Sequence, residues 1–320
     1  MNAAKGFVFL IALFGAMGAR AEYPDRPIWI TVPFAAGSGT DVVARATGEA
    51  LSKRLGVPVV IENTVGSDGA LGTAKVAKAK PDGYMLLATS NPFTLVPNMR
   101  KSRSYDPVKD FVAVAQVAVI PLALVTSGKS SFKSFDDLVT YMRQNPGKTR
   151  YATTGKGTLS HLEVEVMTRY LKVQAQDQPY KSAEDALAAV ASRKAEFFMA
   201  NLPAAQAQLD SGALKAFAVT SGARLPKSPE VPTLAEAMRR PGYAASVWFG
   251  LVAPAKTPFQ VITRLEDEIE REVAVAAVTE RIESIGGRAA FLRSAPFGGQ
   301  IRFEHAKWGE AARILQQSQQ

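Results

Sequence analysis

IWITVPFAAGSGTD, residues 28–41, decides how the chain is read. Ile28-Trp29-Ile30-Thr31-Val32 is a short apolar run rich in β-branched residues, the composition of a strand. Pro33-Phe34-Ala35-Ala36-Gly37-Ser38-Gly39-Thr40 then breaks the run, and Asp41 to Leu55 reads as a helix with Val43, Ala46 and Ala50 on one side. The same device returns at residues 150–165, where Arg150-Tyr151-Ala152-Thr153 leads into Thr154-Gly155-Lys156-Gly157-Thr158. Val59-Val60-Ile61 and Tyr84 to Ala88 are further strands, separated by the loop Gly66-Ser67-Asp68-Gly69-Ala70-Leu71-Gly72 and a helix to Ala79. This βαβαβ rhythm argues for α/β architecture, a parallel sheet with helices on both faces.

Outward from these segments, strands are expected at 112–117, 122–126, 197–199, 216–219 and 246–252. Helices are expected at 135–144, 186–191, 258–275, 278–285 and 299–316. Ser160 and Glu163 fit a capping box, with Leu162, Val166 and Tyr170 at helical spacing behind it. No repeat, low-complexity tract or flexible linker is evident, which suggests domains joined by crossing strands.

The 320 residues are 47% hydrophobic and 21% charged, a globular balance with room for two domains. Zero Cys excludes a disulfide scaffold, an iron–sulfur cluster and a thiol nucleophile. Two His, His161 and His305, argue against a zinc enzyme, and no metal or cofactor is expected. Lys5, the apolar stretch Gly6–Gly18 and the small residues around Arg20 make residues 1–21 a secretory signal peptide, with cleavage expected after Ala21. A membrane anchor is the alternative, but the stretch is shorter than the ~18–20 apolar residues a span needs. Removing Lys5 and Arg20 brings the net charge from +9 to +7. That charge means solubility or attraction to anions. No dense Lys/Arg block with interleaved aromatics points to nucleic acid.

A helix N-terminus offers free N–H groups and partial positive charge, and a glycine-rich approach lets a ligand oxygen reach them. Gly37-Ser38-Gly39-Thr40 and Thr154-Gly155-Lys156-Gly157-Thr158 both have this form, with hydroxyls that can donate to an oxyanion. Neither completes a Walker phosphate loop or the dinucleotide pattern. Either loop alone could be a simple connector; facing each other across a cleft they would hold a carboxylate. Asp41 fits a structural role at its own helix start. His161 fits a hydrogen-bonded structural group or a ligand contact, Lys156 an anion partner or a solvated side chain, and His305 surface or packing. Catalysis is poorly supported: Gly-x-Ser-x-Gly is absent and the acids fall along helix faces.

A series of motifs resembles the Bug-type extracytoplasmic solute receptors of tripartite tricarboxylate transporters. It opens with Tyr23-Pro24-x-Arg26-Pro27-Ile28 and Val32-Pro33-Phe34-Ala35-Ala36-Gly37-x-Gly39-Thr40-Asp41. It continues through Glu62-Asn63-x-x-Gly66-x-x-Gly69, Pro81-Asp82-Gly83-Tyr84 and Tyr105-Asp106-Pro107-x-Lys109-Asp110-Phe111. Tyr151-Ala152-Thr153-x-Gly155-x-Gly157-Thr158-x-x-His161-Leu162, Pro179-Tyr180-Lys181 and Pro229-x-Val231-Pro232-Thr233-x-x-Glu236 follow. Trp248-Phe249-Gly250-Leu251 with Pro254-x-x-Thr257-Pro258 closes the series, which covers the mature chain in order.

The resemblance implies a type II periplasmic binding protein fold, two α/β lobes with crossing strands around a ligand cleft. It implies lobe one at 22–122 plus 244–320 and lobe two at 123–243. The implied ligand is a small organic anion, the implied partner a membrane permease, the location periplasmic, and the protein a monomer without catalytic activity. Carried over by position, first-lobe contacts are Phe34 to Asp41, Ser67, Asp68 and Ser90. Second-lobe contacts are Thr153 to Thr158, His161, Lys181, Ser182, Ala200 and Asn201. The chain departs from the family pattern at Asp68, Lys156, Ser182 and Ala200. Asp68, turned inward, would repel a second carboxylate or favour a ligand carrying an amine or hydroxyl; Lys156 would pull the other way. Two rivals remain: a sensor reporting to a membrane kinase, and an exported hydrolase with Ser38 or Ser160 as nucleophile. Bulky residues at Gly39 or Gly157 are expected to abolish binding while leaving the fold intact.

Overall fold

A computed structural model describes residues 23–99, 102–155 and 158–317, with side chains through Glu310. The expected leader lies outside the described residues, as do Lys156 and Gly157. The chain opens with β1 (Ile28–Val32), α1 (Gly39–Leu55), β2 (Val59–Asn63), α2 (Ala70–Ala77), β3 (Met85–Ser90) and α3 (Pro92–Met99). A long strand, β4 (Phe111–Ser127), leads into α4 (Phe135–Gln144), β5 (Arg150–Thr153), α5 (Leu159–Leu171), β6 (Gln176–Pro179) and α6 (Ala183–Ala191). β7 (Phe197–Asn201), α7 (Leu202–Asp210), β8 (Leu214–Val219) and α8 (Leu234–Ala237) follow. The chain returns through β9 (Ser246–Pro254), α9 (Phe259–Val273), α10 (Ala276–Ser284), β10 (Arg288–Arg293) and α11 (Ser294–Gln317).

The sheet runs β2-β1-β3-β9-β4-β7-β5-β6, with β8 and β10 also paired to β4. β1 exposes only Trp29; Ile28, Ile30, Thr31 and Val32 are fully buried, so the strand is covered on both faces toward its carboxyl end. α9 buries Ile262, Leu265, Ile269 and Val273, the three-to-four spacing of one helical face. The buried members of four hydrophobic clusters sort cleanly by position. Two clusters, around Ile30, Leu86 and Leu265 and around Phe93, Trp248 and Phe297, use only residues before 120 or after 247. The other two, around Leu124, Tyr151 and Phe197 and around Val125, Leu187 and Phe198, use only residues 122–245.

β4 joins these halves. Two strands were expected here; the structure has one of 17 residues. Its pairing with β9 ends at Pro121↔Ser246, and its pairing with β7 starts at Leu122↔Asn201. Pro121 lacks an N–H, so it fits only where the ladder changes partners. Thr220 seals this point: its N–H donates to the Leu122 carbonyl at 2.9 Å, and its Oγ1 accepts from the Leu122 N–H at 2.9 Å. Ala245 N–H then donates to the Thr220 carbonyl at 2.9 Å, so the chain re-enters the first half beside the end of β8.

The start of β9 is tied to the first half through buried polar groups. Asn91 Oδ1 accepts from Trp248 N–H at 3.0 Å, and Trp248 Nε1 donates to Glu304 at 2.7 Å. Thr94 Oγ1 and Gln300 Nε2 also donate to Glu304, at 3.4 and 3.3 Å. Burial pushes the Glu304 carboxyl up to about 7, against the opposing pull of Trp248 and Lys307. A raised folded-state value means the contribution is complete below the ordinary carboxyl value of 4.5 and is lost as pH rises through about 7. The pH-dependent part is roughly 3 kcal/mol. Glu304→Gln keeps an acceptor for Trp248 and cannot ionise. Urea unfolding should show the unmodified chain losing stability over this pH range relative to E304Q; parallel profiles would contradict the assignment.

Candidate ligand-binding cleft

Strand direction gathers the loops. β1 is parallel to β2 and β3, and β5 is parallel to β6 and β7. β9 runs against both β3 and β4, so β4 leaves the first half in the direction of β3. In the second half β4 runs against β7. The carboxyl ends of both parallel sets therefore point at the crossing around Pro121 and Leu122, the place where open α/β sheets bind ligands. Ser90 pairs with Phe249, which pairs with Ala118, whereas Asn201 pairs with Leu122. Four residues of β4, about 13 Å, separate those two rungs.

On the first side, the Phe34–Asp41 segment follows β1, Ser67 and Asp68 follow β2, and Ser90 ends β3. Ser38 is the N-cap of α1, its side chain accepting from Asp41 N–H at 3.3 Å. The Asp41 carboxylate is nearly fully buried and accepts from Gly37 N–H at 2.9 Å, Arg45 Nε at 2.9 Å and Asn63 Nδ2 at 2.8 Å. Burial would raise its pKa; the hydrogen bonds from Arg45, Gly37 and Asn63 outweigh this and hold it below the usual carboxylate range. Asp41 thus shapes the loop and has no carboxylate oxygen to turn toward a ligand. Asn63 also donates to the Phe34 carbonyl at 3.0 Å, fixing the loop from the end of β2. Gly39 and Thr40, at the first two helical positions, keep N–H groups with no intrahelical partner. Ala35, Ala36 and Gly37 are exposed, and Phe34 is half-buried.

Gly37 has φ of +82°, a conformation glycine adopts without strain. Gly39 is needed for space. A Cβ there would lie 3.1 Å from the Phe249 ring and 3.5 Å from Ile285. The expectation that a bulky residue at Gly39 would spare the fold is therefore corrected: it would displace a core aromatic. Ser67 and Asp68 are exposed and both left-handed, with φ of 52° and 53°. Ser90 is buried, with Thr40 Oγ1 3.4 Å from its hydroxyl.

On the second side, Thr153 ends β5, Lys181 and Ser182 follow β6, and Asn201 ends β7. Thr153 is fully buried and its Oγ1 accepts from Gly155 N–H at 2.7 Å. Thr158 is the N-cap of α5, accepting from His161 N–H at 3.4 Å and donating to the Gly155 carbonyl at 2.8 Å. The capping box read at Ser160 and Glu163 is a correction: Ser160 Oγ donates to the Met199 carbonyl at 2.6 Å, and Glu163 is buried among other partners. Leu159 and Ser160 now hold the unpaired first-turn N–H positions. Ser182 caps α6, accepting from Asp185 N–H at 3.1 Å. Lys181, Ser182 and Asn201 are exposed, and Thr154 and Gly155 are half-buried. Ala200 is fully buried in the second core and offers no surface, and His161 is buried with its ring 6.3 Å from that of Tyr151. Ser38 and Ser160, the candidate nucleophiles, both have structural hydrogen bonds.

The sequence reading assigned no role to the residues that brace these loops. Arg45 and Asn63 hold Asp41, and Phe249 and Ile285 back Gly39. At Gly286 a Cβ would lie 2.2 Å from Pro203 at the start of α7, so the two halves touch beside the loops. Of these, Asn63 and Phe249 stood in quoted motifs, without a role assigned to either.

A family model described as "Tripartite tricarboxylate transporter family receptor" matches residues 43–298. The chain belongs to this receptor family. The receptor is 33% identical to protein BugT of Bordetella pertussis over 293 residues, 91% of this chain and 90% of that protein. A TctC solute binding protein from Polaromonas, solved with no ligand, overlays with a TM-score of 0.85 at 26% identity, covering 91% of this chain and 99% of that one. An R. palustris protein with adipate overlays at 0.67 with 29% identity, covering 91% and 98%. MatC from Rhodopseudomonas palustris with bound malate overlays at 0.63 with 28% identity, covering 91% and 100%. The fold is that of type II periplasmic binding proteins.

The capping geometry sets an expectation for the receptor. Ser38→Ala and Thr158→Ala each remove one N-cap and should cost about 1 kcal/mol. Asp41→Ala leaves one Asn63 N–H and the Gly37 N–H without an acceptor and should cost more, roughly 2–3 kcal/mol. Urea midpoints check the order; an Asp41→Ala variant as stable as Ser38→Ala would contradict the bracing role.

Proposed function

We propose that this receptor captures a small organic carboxylate between two lobes, 22–122 with 244–320 and 123–243. It acts in the periplasm after loss of residues 1–21 and hands its ligand to a tripartite tricarboxylate-type permease. One observation carries the reading: the helix starts capped by Ser38 and Thr158 follow parallel strands whose carboxyl ends point at the same crossing. First-turn N–H groups from both lobes then meet one oxyanion, each helping with the positive end of its helix. The closed form gains contacts from both lobes that the open form lacks, and this difference drives closure. The adipate and malate bound to relatives support a dicarboxylate. Binding needs no bond-breaking step, so this role calls for no catalytic residue; the receptor is proposed to act as a monomer.

Selectivity then rests on the rim side chains. Asp68 on one side and Lys181 on the other are both exposed.

Thermal-shift screening against malate, adipate and mono- and tricarboxylates tests the reading, because a ligand at a hundredfold excess over Kd adds about 2.7 kcal/mol. Ala36→Asp and Thr154→Asp put a negative charge on either loop at sites with side-chain exposure. Each should weaken binding at least tenfold by calorimetry. An organic cation or neutral sugar as the only ligand class, or carboxylate affinity unchanged in both variants, would overturn it.

A further inference from the structure

Glu163 lies one turn into α5, five residues after Thr158 and about 7.5 Å along the helix axis. It is fully buried, and its partners come from opposite sides of the crossing. Lys307 Nζ, on α11, donates to Glu163 Oε1 at 2.6 Å with only a tenth of the lysine side chain exposed. Tyr243 Oη, three residues before β9 begins, donates to Glu163 Oε2. Lys307 Nζ also sits 5.0 Å from the Tyr243 ring centre and 4.5 Å from that of Trp308. Trp308 packs on Leu162, with Leu95 of α3 and Leu159 against the pair. One turn earlier, Glu304 fastens α11 to Trp248 of β9. The helix that carries the second-lobe loop is thus clasped to the first lobe through a buried ion pair beside the crossing.

A buried ion pair contributes little net stability, because desolvation offsets the attraction, yet breaking it is costly. Such a pair is suited to favour one arrangement over another. Beside it, residues of α5 and α11 line a cavity of about 1020 Å³, among them Val166, Tyr170, Phe303 and Ala306. The two halves touch at this clasp and again where Gly286 meets Pro203. The clasp occurs in an arrangement that overlays more fully on the ligand-free relative than on either dicarboxylate-bound one, although the latter are no less identical in sequence.

We propose that the Lys307–Glu163–Tyr243 clasp is an interlobe latch that favours the ligand-free, open arrangement and sets how much ligand affinity is spent on closure. In this scheme closure moves α5 relative to α11 and breaks or remakes this pair. Weakening the latch raises the fraction of closed receptor before ligand arrives, and with it the apparent affinity. Glu163 and Lys307 are positioning residues in this scheme and touch no ligand. The inference rests on the proposed two-lobe closure, but its test needs no ligand, so failure to bind carboxylates leaves it measurable.

The chain has no native Cys, so Val65→Cys and Glu184→Cys place spin labels only at two exposed positions, one at each lobe's cleft edge. Pulsed electron–electron resonance then gives the interlobe distance distribution of the ligand-free protein. Lys307→Met with Glu163→Gln removes both charges and leaves no orphan ion. In that background a shorter-distance population should appear, and Lys307→Arg in the labelled parent should keep the parental distribution. If the double variant does not fold, Lys307→Gln, which keeps a donor to Glu163, should show the same shift in smaller proportion. A distribution unchanged from the parent in whichever variant is folded by circular dichroism would overturn the latch, as would a shift to longer distances.

Discussion

β4 is the constraint on which the other parts depend. A single strand serves both sheets, pairing with β9 through Pro121 and with β7 from Leu122. Because it runs along β3 on one side and against β7 on the other, both parallel sets must end at the same line. No loop has to be steered there by its own sequence. The loops after β1, β2, β5 and β6 reach the crossing because their strands point at it. A reversal of either sheet would send half of them to the opposite edge.

With position fixed by topology, local chemistry has only to keep the loops open and their amides unspent. The first loop does this with a carboxylate turned inward: Asp41 holds Gly37, Arg45 and Asn63, and Ser38 covers the third-position amide. The second loop uses hydroxyls for the same end, Thr153 on Gly155 and Thr158 on His161. Neither loop commits the first two helical N–H groups. A negative side chain facing the cleft would compete with an anionic ligand; Asp41 avoids this because its oxygens are occupied within its own lobe.

Strand–loop–helix punctuation was readable because it is local. Gly37, Gly39 and Gly155, with flanking Ser and Thr, mark turns and caps in any fold. Pro121 misled, since a proline inside an apolar run reads as a break; only the partner exchange at the crossing makes it compatible with one strand. Ser160 and Glu163 misled for a related reason. Their spacing matches a capping box as well as Thr158 and His161 match a simple cap, and the choice was made by the Met199 carbonyl, far away in sequence. α3, β6, α7 and β10 went unread, being short or pinned by neighbours more than by their own periodicity. The clasp at Glu163 was invisible for the strongest reason: its partners Tyr243 and Lys307 are 80 and 144 residues distant.

The central claim is that one anion is shared by main-chain amides of two helix starts on opposite lobes. An amide-resolved magnetic resonance titration with malate or adipate reads it directly. Gly39 and Thr40 should shift together with Leu159 and Ser160, along one saturation curve and with one affinity. A carboxylate that binds while only one of these pairs responds, or while neither does, would contradict the account.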